Sequence, residues 1–205
     1  MIVLAESNFV LELALRQEQF EHAERILLLA EEQQLRLVVP ACSLIEPYQT
    51  LIRRRRERKE FSRRLRDEIK LLERSSLHDG MSTTSQHVAQ TLDAGTEIER
   101  ECLEQIIERL TRICLVPALS LEIVRLAQAM QLGYGLEPPD AIVFASIDTA
   151  LQTLGTDPKV FVNKNSKDFA TPLIEGQLEK HGCRLITSFP DARQYIENEL
   201  DRKIA

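Results

Sequence analysis

Short apolar runs, separated by stretches in which apolar residues recur at helical spacing, dominate the chain. The runs typical of buried strands are residues 2–5, 35–39, 159–163 and 183–186, with a brief strand at 115–116. Helices are predicted over 9–15, 20–34, 97–113, 120–132 and 140–154, and from Pro190 onward. Strands that alternate with helices indicate an α/β fold, in which helices cover both faces of a parallel sheet.

The segment after Pro40 predicts a long helix that runs to about Arg74. Ser43 is a candidate N-cap, and Pro47 then falls in the first turn, where proline is tolerated. Residues 75–96 are rich in Ser, Thr, Gly and His, which favours a flexible or partly helical linker. We therefore expect one domain over residues 1–205, in which 53–96 form a basic helical arm plus a flexible linker.

Composition narrows the class of protein. The chain has 205 residues, 43% of them hydrophobic, which is ordinary for a globular domain. No apolar run approaches the roughly 20 residues of a membrane helix, and the N-terminus lacks the basic leader of a signal peptide. The cysteines form no CxxC pair, which favours free thiols over a zinc site. They are Cys42, Cys102, Cys114 and Cys183. A cytoplasmic protein without membrane contact is the expectation.

Charge is distributed unevenly along the chain. The net charge is −6, yet the segment from Leu51 to Ser75 has eleven Lys and Arg against five acids. The remainder of the chain is therefore strongly acidic. The run from Arg53 to Arg56 points all around a helix and suits contacts with phosphates, which Lys and Arg dominate. A solvated helix face or a protein interface is the alternative explanation.

Four acids stand where an α/β sheet holds its ligands or where a helix begins. Glu6 follows the first strand, and Asp168 lies shortly after the strand at 159–163. Glu46 and Asp140 lie near the starts of helices among apolar neighbours, where an uncompensated acid is costly. Each has a simpler explanation. Glu6 suits a strand-end surface residue, Glu46 a favourable charge at a helix start, Asp140 an N-cap and Asp168 a turn.

Taken in order, the motifs around these acids resemble those of the PIN-domain nucleases. The segment from Glu6 to Leu11 (ESNFVL) is similar to the Asp-Ser/Thr-Asn motif that follows the family's first strand, with Glu for Asp. Ser43 to Glu46 (SLIE) is similar to the second motif, and Asp140 to Ser146 (DAIVFAS) to the third. Asn163 to Phe169 (NKNSKDF) resembles the last motif, Thr-Arg-Asn-x-Lys-Asp-Phe, with two changes. The resemblance extends to about residue 190, apart from the arm and linker.

The resemblance implies a PIN-like three-layer sandwich with a long basic helical insertion. It also implies a metal-dependent nuclease, most commonly a ribonuclease, that hydrolyses phosphodiester bonds. Its metal-binding and catalytic carboxylates would be Glu6, Glu46, Asp140 and Asp168. The cofactor would be Mg²⁺ or Mn²⁺, because hard cations prefer oxygen ligands. Supporting polar groups would be Ser7, Asn8 and Asn165. The residues expected to contact nucleic acid are Arg53, Arg54, Arg55, Arg56 and Lys164.

Other functions remain open at the level of sequence. An RNA substrate is expected, while an antitoxin-like protein partner, as in toxin–antitoxin systems, and a homodimer stay as alternatives. Glu6 is one methylene longer than the usual Asp, and a shift of about 1 Å can cost about 100-fold in rate. A weak or inactive PIN-like module that binds nucleic acid or protein is therefore the second hypothesis. A small-molecule enzyme is disfavoured, since the sequence lacks GxGxxG, GxxxxGK[ST] and GxSxG motifs.

Overall fold

A computed structural model describes residues 1–72, 74 and 81–204. Its strands are β1 (Ile2–Ala5), β2 (Arg36–Val38), β3 (Lys159–Val162) and β4 (Cys183–Ile186). Five helices precede Pro138: α1 (Ser7–Leu15), α2 (Phe20–Glu31), α3 (Ala41–Leu72), α4 (Met81–Ile113) and α5 (Leu121–Tyr134). Four follow: α6 (Pro138–Thr153), α7 (Ser166–Phe169), α8 (Pro172–Glu179) and α9 (Phe189–Ile204).

All four strands are parallel and lie in the order β2-β1-β3-β4. β1 and β3 are the central pair, with Ala5 opposite Val162. Leu115 adds an isolated parallel bridge to Val38, at the position predicted as a brief strand. The chain leaves β1 toward one edge of the sheet and reaches β3 on the other side, so the strand order reverses between these two strands. Such a point opens a crevice beyond the carboxyl ends of the strands, which is where α/β folds bind ligands.

Alternating strand residues face two separate hydrophobic cores. Val3, Val160 and Val162 pack with residues of α1, α2, α4 and α9. Ile2, Leu4 and Phe161 pack on the other face with residues of α5, α6 and α8. This alternation follows from the period of two in a strand. The sheet thus has helices on both faces, and the predicted three-layer α/β sandwich is confirmed.

Helices α3 and α4 form a long helical hairpin against the sandwich. The Arg58 guanidinium donates to both carboxylate oxygens of Glu99, at 2.8 and 2.6 Å, and to Thr96 Oγ1 at 3.2 Å. Ile69 of α3 and Ala89 of α4 are among the buried apolar residues of the two helices. Within the described residues, no helix combines the length and apolarity needed to cross a membrane.

Several local predictions need correction. Residues 75–96 were predicted as a flexible or partly helical linker; residues 81–96 are helical and form the first half of α4, while 75–80 lie outside the described residues. Ser43 is not an N-cap, since α3 begins at Ala41, and Pro47 lies inside that helix rather than in its first turn. Helix α8 was not predicted. Its signals are Thr171, which caps it by accepting from the Ile174 amide, and Pro172 at its first position.

Candidate functional site

Glu6 connects the central strand β1 to helix α1. Its carboxylate caps α1, because Oε1 accepts from the Asn8 amide at 3.2 Å and Oε2 accepts from Ser7 Oγ at 2.7 Å. Ser7 therefore holds the Glu6 carboxylate through its hydroxyl, whereas the contact from Asn8 comes from its backbone amide and not from its side chain. The residue is only 5% exposed. A buried acid without a cation beside it is costly, so its hydrogen bonds offset only part of that cost.

The pKa of Glu6 reflects its burial and the charged groups around it. Burial raises the pKa of Glu6 to about 7, against the lowering effect of the bonds from Ser7 and Asn8. Repulsion from Glu46 and from Asp140 raises this pKa further. The fold therefore brings a residue from the second turn of α3 and one from the start of α6 within electrostatic reach of the end of β1.

Asp140 links Glu6 and Glu46 to the fourth acid, Asp168. It is half-buried in the first turn of α6, whose N-cap is Glu137, so the interpretation of Asp140 as the cap is wrong. Burial raises the pKa of Asp140 to about 6, and repulsion from Asp168, Glu46 and Glu137 adds to the shift. We call the set of Glu6, Glu46, Asp140 and Asp168 the carboxylate group. Glu46 and Asp140 thus raise the pKa of Glu6, and Asp168 and Glu46 raise the pKa of Asp140.

Asp168 is oriented by the loop that follows β3. Asn165 Nδ2 donates to Asp168 Oδ2 at 2.8 Å, and the Asn165 amide donates to Asn163 Oδ1 at 2.7 Å. Asn163 is fully buried and follows Val162, the residue opposite Ala5, so it lies beside Glu6 at the end of the central strand pair. Asn163 was quoted within the last motif but not chosen as a site residue. Its signal was an amide placed directly after a fully apolar strand.

Two buried polar atoms near the carboxylate group lack a partner among the described residues. They are Asn163 Nδ2 and Ser43 Oγ. Ser43 lies three residues before Glu46 in α3, so the two share a helix face. Buried polar atoms are normally satisfied, which makes such orphans candidates for contact with water or a ligand. Either atom is able to donate to an oxygen of a bound phosphate or water.

Lys164 occupies a different environment from the one predicted for a nucleic-acid contact. Its Nζ donates to Glu12 Oε2 at 2.9 Å, and its side chain is 27% exposed. Glu12 is fully buried in α1, and its other oxygen accepts from the Gln19 amide. Sequence analysis missed Glu12, whose only signal was an acid within an apolar helix. The ion pair joins α1 to the loop that carries Asn165 and Asp168.

The predicted arginines differ in their surroundings. Arg55 forms an ion pair with Glu97 at 3.7 Å, whereas Arg53, Arg54 and Arg56 have no ion pair with any residue the structure describes. Arg54 is half-buried and the other three are exposed. The four arginines thus do not act as one uniform patch.

The carboxylate group supplies hard oxygen donors, which suit Mg²⁺ or Mn²⁺ better than soft ions. Within it, the pKa values of Glu6 and Asp140 are raised by burial and by repulsion from neighbouring acids. However, across the described residues, no three His, Cys, Asp or Glu side chains are grouped closely enough to hold a metal ion.

Comparison with known proteins identifies the family. A family model described as PIN domain matches residues 3–169, which is most of the chain. Neither the curated proteins nor the solved structures include a significant match. PIN nucleases usually use divalent metal ions. The matched region contains all four acids of the carboxylate group, and the chain therefore belongs to the PIN-domain family, whose members are generally nucleases.

Proposed function

We propose that the protein is a metal-dependent nuclease, with RNA as the expected substrate, that hydrolyses phosphodiester bonds at the carboxylate group. The observation that carries this proposal is the mutual repulsion of Glu6, Glu46, Asp140 and Asp168 at the carboxyl end of the two central strands. Burial and repulsion from acids in distant parts of the sequence raise the cost of ionising Glu6 and Asp140 there. A bound divalent cation would remove that cost. These acids do not stabilise the metal-free protein, so a role in binding a cation explains why they are placed together.

The proposed mechanism assigns the metal-holding role to these four carboxylates. When bound, Mg²⁺ or Mn²⁺ supplies charge for the phosphate and activates the attacking water. Ser7 and the Asn8 amide fix the Glu6 carboxylate, and Asn165 fixes Asp168. In this mechanism Asn163 Nδ2, which has no hydrogen-bond partner among the described residues, would donate to a non-bridging phosphate oxygen. Donors aimed at developing charge in a water-poor site contribute strongly to catalysis.

A second candidate function is a PIN-like module with little or no activity that binds nucleic acid or a protein. Two observations favour it. Glu6 replaces the Asp expected in the first motif, and no three metal-binding side chains are grouped together in the described part of the chain. Both candidates keep the same fold, so only a measurement of chemistry separates them.

The test uses purified protein with labelled RNA and labelled DNA, in Mn²⁺, in Mg²⁺ or in EDTA. The proposal expects cleavage that requires metal and that falls by at least about 100-fold in Asp140→Asn, as for loss of a key electrostatic group. Asp191→Asn is the matched control, because it removes one exposed acid of α9 and should cleave normally. Cleavage that persists in EDTA, or equally in Asp140→Asn, would overturn the proposal. Intact substrate under every condition would favour the second candidate.

A further inference from the structure

Helix α3 carries a straight row of exposed cations on one face. The members recur at spacings of three and four residues, which keeps them on a single stripe of the helix. We call them the cation row: Arg56, Lys59, Arg63, Arg66 and Lys70. All five are exposed. At 1.5 Å per residue the row spans about 21 Å, with about 5 Å between successive cations.

The cation row is distinguished from the other cations of the hairpin by its lack of acidic partners. Considering only the described residues, no member forms an ion pair, and Arg66 Nε donates to the Ser62 carbonyl instead. Asp67 lies beside the row without an ion pair to it. Three arginines of α3 outside the row are neutralised: Arg55 by Glu97, Arg58 by Glu99 and Arg64 by Glu60. Two of these arginines are therefore paired with glutamates of α4 and one with a glutamate of α3, whereas the row has no ion pair among the described residues.

We propose that the cation row binds the phosphate backbone of a single RNA strand whose continuation enters the carboxylate group. One row on one helix face suits one backbone, and uncompensated Arg and Lys are the groups that release counterions from nucleic acid. Glu46 lies in the second turn of the same helix, ten residues before Arg56 and about 15 Å from it along the axis. The inference rests on the proposed nuclease function, because the cation row would hold the part of the RNA that lies outside the site of cleavage.

The row differs from the set that the arginine run first suggested. Only Arg56 belongs to both, while Arg55 is paired with Glu97. Arg54 lies on another side of the helix, since it is turned by about 160° from Arg56, whereas Arg53 precedes Arg56 by three residues and adjoins the start of the row. Binding should therefore depend on cations up to fourteen residues further along α3, in the part of the arm most distant in sequence from Glu46.

The test compares two triple variants that remove the same charge. The row variant is Arg63→Gln with Arg66→Gln and Lys70→Gln. The control variant is Arg64→Gln with Arg100→Gln and Arg112→Gln, whose arginines are exposed but paired with glutamates of their own helices. Affinity for a fluorescein-labelled single-stranded RNA is measured by anisotropy in EDTA over a series of KCl concentrations. Circular dichroism checks that both variants remain helical.

The row variant should bind roughly tenfold more weakly or worse at low salt, and its slope of log affinity against log salt should flatten by about 2. The control variant should keep the slope of the unmodified protein. Equal slopes for the two variants would overturn the inference. The inference would also be overturned if the row variant lost binding to vesicles of anionic lipid but kept its binding to RNA.

The two proposals fail separately. RNA binding in EDTA does not require cleavage, and Asp140→Asn should retain the full salt slope. If RNA is bound through the row but never cleaved in Mn²⁺ or Mg²⁺, only the nuclease proposal fails. If RNA is cleaved but the row variant binds with an unchanged slope, only the cation row loses its role.

Discussion

Glu6 and Glu12 are buried glutamates of the same short stretch of chain, and substitution with Gln should affect them in opposite directions. Glu12 has the Lys164 ammonium as a partner, whereas Glu6 faces Glu46 and Asp140. The pKa of Glu6 rises from 4.5 to about 7, mainly through burial. At 1.36 kcal/mol per unit, this shift corresponds to about 3 kcal/mol of stability that the metal-free protein loses when Glu6 ionises.

The sign of the effect follows from linkage. Because the pKa of Glu6 is higher in the folded than in the unfolded state, its contribution is fully present below about pH 4.5. The contribution is lost as the pH rises through about 7. A neutral Gln at this position cannot ionise. Glu6→Gln should therefore change stability little at pH 5 and raise it by up to about 3 kcal/mol at pH 8.

Urea unfolding in EDTA at these two pH values measures the difference, as the change in the free energy of unfolding. Glu12→Gln is the matched control, since it removes a buried carboxylate that has a cation partner. It should lower stability by about 1–3 kcal/mol at both pH values. A Glu6→Gln protein that gains nothing between pH 5 and pH 8, relative to the unmodified chain, would refute the reasoning.

Three further predictions address the metal, an unpartnered atom and the core. Mn²⁺ should raise the unfolding temperature, with about 2.7 kcal/mol gained at 100 times the dissociation constant. Asp140→Asn should lose this gain, and an equal gain in that variant would place the ion elsewhere. Ser43→Ala should leave stability unchanged or raise it by about 1 kcal/mol in thermal unfolding, because its hydroxyl has no partner in the described structure. A loss of that size would reveal a partner. Phe161→Ala should cost about 3–5 kcal/mol in urea unfolding, since the ring is fully buried in central strand β3, and a loss below about 1 kcal/mol would contradict that packing.

The strands and most helices could be predicted from periodicity, but the first half of α4 could not. Its first half contains Ser, Thr and Gly, which favour turns in an isolated segment. In the fold this half packs along α3. Ala89 is buried, and Thr96 is also buried, where it donates to the Leu92 carbonyl and accepts from Arg58. Tertiary packing therefore outweighs weak local propensity, an effect that no window of sequence contains.

The carboxylate group could be anticipated because each acid follows a strand or opens a helix. The position of Asn163 beside Glu6 and the ion pair of Lys164 with Glu12 could not be anticipated. Asn163 lies beside Glu6 only through the pairing of β1 with β3, and Lys164 meets Glu12 from a loop more than one hundred residues away. Such contacts depend on strand order and helix placement. Whether the four acids bind metal stays a prediction.

The position of β1 and β3 inside the sheet has a consequence for hydrogen exchange. Each is bonded to a strand on both sides, so their amides should exchange only through opening of a large part of the molecule. Glu6 and Asn163 continue directly from these strands, while Glu46 belongs to a helix whose outer half is mostly exposed. The two sides of the crevice therefore differ in local stability. Partial opening would detach the α3 side first and leave the strand side in place, ready for α3 to close again.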